Sequence, residues 1–311
     1  MLVTGGAGFM GSNFVSHVIE THPDIQITVL DALTYAGNLG NLSSIANRID
    51  FVEGSICNAP LVGTLVGDAD VVVNFAAESH NDNSLKSPRE FYETNVMGTF
   101  TLAEAIRSTG VRLHHVSTDE VFGDMAIESD QPFNEDSPYK PSSPYSASKA
   151  ASDQLVKAWG RSFQIRATIS NSANNYGPRQ YPEKLIPKSI ERIVGGQDPE
   201  IFGSGSNVRD WLHVDDHSRA VMAIIQNGSL GESYVISGGQ LHTNLEIIGF
   251  VNSAFGRAPS DFAFIDDRPG HDRKYFSTAA KLRNATGWAP TAPTVSAWIH
   301  DYIQQNFLTE D

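Results

Sequence analysis

The run Gly5-Gly6-Ala7-Gly8-Phe9-Met10-Gly11 constrains this chain more than any other stretch. It reads Gly5-x-x-Gly8-x-x-Gly11, between the apolar Leu2-Val3 and a helical pattern from Ser12 to Thr21. Glycine lacks the β-carbon that would block a diphosphate, and the helix N-terminus that follows presents aligned N–H donors. A glycine string alone can be no more than a tight turn. Here the next apolar run, Ile27 to Leu30, ends in Asp31, about twenty residues on, where a carboxylate accepts ribose hydroxyls. Such a strand–turn–helix–strand unit is a dinucleotide site. Asp31 would repel a 2′-phosphate and no Arg follows in Ala32-Leu33-Thr34, so NAD is expected rather than NADP.

The pattern continues as short apolar runs alternating with helical segments, the signature of a parallel sheet wrapped by helices. Strands are expected at Leu2-Val3, Ile27 to Leu30, Phe51-Val52, Val71 to Phe75, Leu113 to Ser117 and Ile165 to Ile169. Helices are expected at Ser12 to Thr21, Phe91 to Ser108 and Ser146 to Trp159. Right-handed crossovers make this an α/β fold, a doubly wound parallel sheet of Rossmann type with a smaller C-terminal substrate lobe. The expected division is 1–171 for the NAD-binding domain and 172–311 mainly for the lobe, with some segments returning to the first domain. The later part carries helical patterns at Asp215 to Gln226 and Asn244 to Phe255, and a strand at Ser233 to Ile236. Pro132 to Pro144 reads as a loop over the site.

Composition narrows the partners. The 311 residues carry 22 basic and 36 acidic side chains, a net charge of −14, which disfavours nucleic acid. The single Cys57 excludes an intrachain disulfide and a cysteine zinc site, and it suits a cytoplasmic location. Cys57 itself reads as a small buried filler. No apolar run approaches a membrane span, and Met1-Leu-Val-Thr-Gly has no basic leader. The first strand is short, which suggests a front edge that has been trimmed.

Two further stretches carry chemistry. Thr118-Asp119-Glu120 directly follow the run Leu113 to Ser117, at the sheet edge where ligands bind. Tyr145-Ser-Ala-Ser-Lys149 places a phenol and an ammonium four residues apart, on one helical face. An ammonium about 4 Å from a phenol favours the phenolate by about 4 kcal/mol at an effective dielectric near 20. The Tyr/Lys pair suits hydride transfer on an alcohol. Alcohol oxidation alone does not need the adjacent acid pair, whereas elimination of water needs both an acid and a base.

These motifs resemble the extended short-chain dehydrogenase/reductase superfamily and, within it, the dTDP-glucose 4,6-dehydratase family. The likeness rests on Asp31-Ala-Leu-Thr-Tyr-Ala-Gly-Asn38, Phe75-Ala-Ala-Glu-Ser-His80, Ser117-Thr-Asp-Glu-Val-Phe-Gly-Asp124 and Asn174-Asn-Tyr-Gly-Pro178. It continues through Pro182-Glu-Lys-Leu-Ile-Pro187, Val208-Arg-Asp-Trp-Leu-His213 and Asp267-Arg-Pro-Gly-His271. The resemblance implies oxidation of the sugar at carbon 4, loss of water across carbons 5 and 6, and hydride return to carbon 6. Tyr145 would take the 4-hydroxyl proton, assisted by Lys149 and Thr118, while Glu120 would take the carbon 5 proton and Asp119 would protonate the leaving hydroxyl. For NAD it implies Gly5, Gly8, Phe9, Met10, Gly11, Asp31, Leu33, Thr34, Ser55, Ile56, Phe75, Ala76, Ala77, Ser79, Thr94, Tyr145, Lys149 and Asn175. For the nucleotide sugar it implies Ser79, Thr118, Asn174, Lys184, Leu185, Phe202, Arg209, Asn244, Arg268 and His271. The product would be a 4-keto-6-deoxy sugar, as used for rhamnose or other deoxysugars.

Three positions depart from the family pattern: Ser55 replaces an Asp beside the adenine, Asn83 an Arg, and Phe122 a Tyr. His213 and His217 stand four apart without a third ligand, so no metal is expected. Adjacent His114 and His115, at the end of a strand, read either as packing residues or as side chains that support the site from behind. Open alternatives are a dehydratase of a UDP-linked sugar, a nucleotide-sugar 4-epimerase and a non-catalytic NAD-binding regulatory protein. Apolar residues on the helices around 91–108 and 146–159 suggest a homodimer.

Overall fold

The structure is a computed structural model and describes residues 1–308. In chain order the first strands are β1 (Leu2–Thr4), β2 (Ile27–Asp31), β3 (Ile49–Glu53), β4 (Val71–Asn74), β5 (Arg112–Thr118) and β6 (Ala167–Ser172). Then follow β7 (Asn174–Tyr176), β8 (Glu200–Phe202), β9 (Val208–His213), β10 (Ser233–Ile236), β11 (Gln240–Thr243) and β12 (Ala263–Ile265). The main sheet has seven strands in the order β10-β6-β5-β4-β1-β2-β3, all parallel. Its order reverses between β1 and β4, and a crevice opens there at the strands' C-terminal ends.

The helices of the first half are α1 (Phe9–Thr21), α2 (Ala59–Gly67), α3 (Asn81–Lys86), α4 (Pro88–Phe91), α5 (Thr99–Thr109) and α6 (Pro144–Phe163). The second half adds α7 (Leu185–Val194), α8 (Val214–Asn227), α9 (Asn244–Ala254), α10 (Ala280–Thr286) and α11 (Val295–Ile303). Strand periodicity sends alternate side chains to opposite faces of the sheet. Val3 and Val73 join Phe14 of α1, Ile224 of α8 and Leu282 of α10 on one face. Leu2 and Val72 join Val62 of α2, Leu102 of α5 and Val156 of α6 on the other. Helix α1 starts three residues earlier than the periodicity suggests, because Gly8 is its N-cap and Phe9 and Met10 are already helical. The expected helix from 91 to 108 is a composite: a π-helical turn, Tyr92–Gly98, joins α4 to α5.

Residues after β6 divide between two places. Strand β10 pairs with β6 at the edge of the main sheet, and α8 and α10 pack against that sheet. The others build a three-stranded sheet, β11-β9-β7, and the pair β12-β8. Tyr176, Ile186, Trp211, Ile247 and Ile299 close a separate apolar core there with α7, α9 and α11. Cys57 is exposed rather than buried, and its thiol donates to the Glu93 carbonyl at 3.3 Å. The turn between β3 and α2 simply leaves it at the surface. No helix among the described residues is long and apolar enough to cross a membrane.

Candidate active site

The crevice starts at the glycine turn. A β-carbon on Gly5 would lie 2.6 Å from the Ala76 nitrogen, and one on Gly11 would lie 2.2 Å from the Gly5 oxygen. Both glycines therefore let the turn pack between β4 and the first turn of α1. Gly8 has no such clash and faces the crevice. No side chain caps α1, so its first N–H groups remain available to an anion. At the end of β2, Asp31 accepts from the Ala7 and Leu33 nitrogens, both at 2.9 Å. A buried carboxylate beside an uncapped helix N-terminus fits a dinucleotide: ribose at one end, diphosphate at the other.

Of the residues expected for NAD, Gly5, Gly8, Phe9, Met10, Gly11, Asp31, Thr34, Ser55, Ile56, Phe75, Ala76, Ala77, Ser79, Thr94, Tyr145, Lys149 and Asn175 line the crevice. Leu33 does not; it takes a positive φ of 49° behind Asp31, so its backbone rather than its side chain serves the turn. Sequence reasoning missed Asn95. Its amide holds both the nitrogen and the carbonyl of Glu78 and donates to Ser148 on α6 at 2.8 Å, pinning the wall formed by residues 75–79. No motif spacing marks that role.

The chemical groups converge from two elements. Helix α6 begins with a capping box in which Ser143 and Ser146 satisfy each other's backbone, with Pro144 in the first turn. That start orients Tyr145 and Lys149 into the crevice. Strand β5 ends at Thr118, whose hydroxyl accepts from the Glu120 nitrogen at 3.2 Å and caps the short turn bearing Asp119 and Glu120. Ser143 also donates to Asn81 Oδ1 at 2.9 Å, and Asn81 Nδ2 donates to Glu120 Oε2 at 3.0 Å. Asn81 thus ties the acid pair to the cap of α6, a link that sequence reasoning did not find.

The electrostatics separate these groups. Asp119 is buried and its Oδ2 has no hydrogen-bond partner. Burial, then the neighbouring Glu120 and Asp210, raises its pKa well above the usual carboxylate range, which favours the protonated acid. The phenol of Tyr145 departs from expectation: burial and then the Glu120 charge push its pKa up, against a hydrogen bond with Thr118. Lys149 does not offset this in the structure. Its ammonium donates to the Val116 carbonyl at 2.8 Å, and burial lowers its pKa to about 8.

On the substrate side, Thr118, Asn174, Lys184 and Ser79 line the crevice. Leu185, Phe202, Arg209, Asn244, Arg268 and His271 lie outside its wall. Leu185 opens α7 and packs on the separate core, and Asn244 opens α9. Arg209 is buried, donating to the Val208 and Asp272 carbonyls and stacking over Tyr275. Arg268 stacks over Phe202 and bonds Asp82 at 2.8 Å, while His271 bonds Asp267 at 2.7 Å. The charges of Arg268 and Arg209 both act on His271, which places the three together. His213 caps α8 and His217 is buried against Phe75. Among the described residues, no group of His, Cys, Asp or Glu is arranged to hold a metal.

Comparison with known proteins agrees with this geometry. Residues 2–297 match the family described as GDP-mannose 4,6 dehydratase. A dTDP-glucose 4,6-dehydratase of Mycolicibacterium smegmatis is 50% identical over 303 residues, covering 97% of this chain and 92% of that one. The chain belongs to the dTDP-glucose 4,6-dehydratase family. The family member from Streptomyces venezuelae, crystallised with NAD, superposes with a TM-score of 0.93 at 40% identity, covering 98% of this chain and 97% of that one. A UDP-glucuronic acid 4-epimerase from Bacillus cereus shares the fold with a TM-score of 0.90 at 26% identity, covering 98% and 99%. The dehydratase and epimerase members thus share one scaffold and differ in what occupies it.

Proposed function

We propose that this protein converts dTDP-glucose to dTDP-4-keto-6-deoxyglucose as an NAD-dependent hydro-lyase. The observation that carries the reading is the acid pair at the end of β5, where burial favours a protonated Asp119 beside Glu120. Elimination needs both states at once, a proton to give to the leaving hydroxyl and a base to take one from carbon. When bound, NAD accepts hydride from carbon 4 of the sugar and later supplies it to carbon 6.

The protein's own groups do the rest. The uncapped start of α1 and the Asp31 carboxylate hold the dinucleotide, and Asp31 selects against a 2′-phosphate. Tyr145 accepts the proton of the 4-hydroxyl, with Thr118 holding the same oxygen. Lys149, one turn beyond Tyr145 on α6, is the cation assigned to the charge that develops on the phenol, and to act so its ammonium has to turn from the Val116 carbonyl that holds it in this structure. Glu120, oriented by Asn81, takes the carbon 5 proton once the 4-ketone has acidified it. Asp119 gives its proton to the 6-hydroxyl, which leaves as water. Residues 1–171 serve the cofactor. From residue 172 onward the chain mainly receives the nucleotide sugar, with Lys184, Arg209 and Arg268 on the nucleotide side, and Asn174, Leu185, Phe202, Asn244 and His271 lining the sugar-nucleotide pocket.

The assay incubates the protein with dTDP-glucose and NAD and reads the alkali-induced absorbance of a 4-keto-6-deoxy product. Epimerised sugar without loss of water would overturn the reading. A UDP-linked sugar turned over in preference would reassign the base. We further propose a cytoplasmic homodimer. Tyr92, Met97 and Phe100 on the 88–109 helical run, and Phe163 beside Trp159 on α6, are exposed apolar side chains suited to a second copy. A monomer mass by light scattering at micromolar concentration would refute it.

A further inference from the structure

Beneath the crevice runs a chain of buried polar side chains that the steps above do not use. Thr4 Oγ1 donates to Asn74 Oδ1 at 2.6 Å, and Asn74 Nδ2 meets His115 Nδ1 at 3.1 Å. On the other edge of the ring, His115 Nε2 faces Ser152 Oγ at 3.2 Å and Asp153 Oδ1 at 3.4 Å. Asp153 Oδ2 accepts from the Tyr139 hydroxyl and from Asn171 Nδ2, both at 2.9 Å. Thr4, Asn74, His115, Asp153 and Asn171 are all buried. The chain therefore crosses β1, β4 and β5 and ends on α6, the helix that carries Tyr145 and Lys149.

Donor chemistry sets its direction. An amide NH2 only donates, so His115 Nδ1 accepts and the single ring proton sits on Nε2, facing Asp153 and Ser152. Burial, then the Lys149 charge, keeps His115 neutral. Burial alone would favour a protonated Asp153, but the approach of the His115 ring and the Lys149 charge outweigh burial and hold its pKa below the usual carboxylate value.

Asp153 stands one helical turn beyond Lys149, as Lys149 stands one turn beyond Tyr145. A buried ammonium needs a counter-charge or it loses its proton. The ionisable groups around this corner are Tyr145, Asp153 and Lys157 on α6, His115 on β5, Asp119 and Glu120 beyond β5, and Tyr139 from the preceding loop, which bonds Asp153 and is bonded by Lys157. Among them, the Asp153 charge is the one that favours the Lys149 ammonium.

We propose that Asp153, held by His115 and the Thr4–Asn74 pair, is a positioning residue that supplies the buried counter-charge for Lys149. The proposal rests on the reading of Tyr145 and Lys149 as the oxidation pair. With Lys149 held near 8, activity needs the ammonium and falls as pH rises through that value. In Asp153→Asn the alkaline limb of the kcat profile should move about one pH unit or more toward acid. At pH 8, kcat should fall about fivefold or more while KM for dTDP-glucose changes less than about twofold. Asp153→Glu, which keeps the charge, should restore the limb even where kcat stays low. A kcat loss with an unmoved limb in Asp153→Asn would overturn the proposal and leave Asp153 a packing residue. Independently of turnover, ¹⁵N spectra of His115 in the wild-type holoenzyme should show a protonated Nε2 and a bare Nδ1. The opposite tautomer would break the relay. If the wild-type protein fails to dehydrate dTDP-glucose, the functional reading falls, whereas the His115 tautomer and a ¹⁵N titration of Lys149 Nζ in Asp153→Asn still judge the relay.

Discussion

Along β1, β2 and the start of α1, the crevice is faced by backbone: uncapped N–H groups, glycines without room for a β-carbon, and one carboxylate fixed by two N–H donors. Around Phe202 the facing groups are long cations that already have protein partners. Arg209 is spent on the carbonyls of Val208 and Asp272, and Arg268 is held by Asp82. The first region recognises by shape and is complete as folded. Under the proposed function the second would recognise by charge, and Arg268 would exchange the Asp82 carboxylate for an incoming phosphate. Backbone sites tolerate little added volume, whereas charge sites lose affinity by degrees.

Four substitutions test this contrast, taken from the largest expected effect downward. Glu120→Gln, at the point where the two regions meet, should lower kcat for dehydration by about 10²–10⁴-fold. Single-turnover reduction of bound NAD should survive it, and dehydration at the parental rate would remove Glu120 as the base. Gly11→Ala drives a methyl group into the Gly5 carbonyl and should destabilise the fold by about 1–3 kcal/mol. An unchanged urea midpoint would mean that the turn has slack the structure does not suggest. Arg268→Ala should raise KM for dTDP-glucose about tenfold with kcat nearly intact, as for loss of one charged hydrogen bond. A collapse in kcat instead would place Arg268 in the chemistry. Ser55→Asp should tighten NAD about two- to tenfold, the worth of one added hydrogen bond, as read by calorimetric titration. Weaker binding would show that Ser55 does not face the adenosine end.

Much of the first region was legible in the sequence because its determinants are local. Glycine spacing, the strand ending in Asp31 and the four-residue separation of Tyr145 and Lys149 all lie within a few turns of chain. The seven strands of the main sheet all coincide with apolar runs singled out in the sequence, with small shifts at their ends. The smaller sheets were not legible. Strands β7, β8 and β12 have three residues each, too few for an alternation to register. Asn81 and Asn95 escaped notice because an asparagine that bridges two segments carries no periodic signal. The Tyr145 phenol was misjudged for a related reason: spacing puts Lys149 on the same face, but it does not reveal that the Val116 carbonyl accepts its hydrogen bond.

Residue types and short spacings were enough for the dinucleotide turn, the expectation of NAD, the parallel sheet and the presence of an acid pair beside a Tyr/Lys pair. These depend on residue type and short spacing, to which local backbone geometry responds directly. It took the folded chain to show that burial favours a protonated Asp119, that the Tyr145 phenol is raised, that Arg268 is paired with Asp82, and that Asp153 stands behind Lys149. Protonation and pairing follow from burial and through-space charge, and those are set by which distant strands and helices the fold brings together.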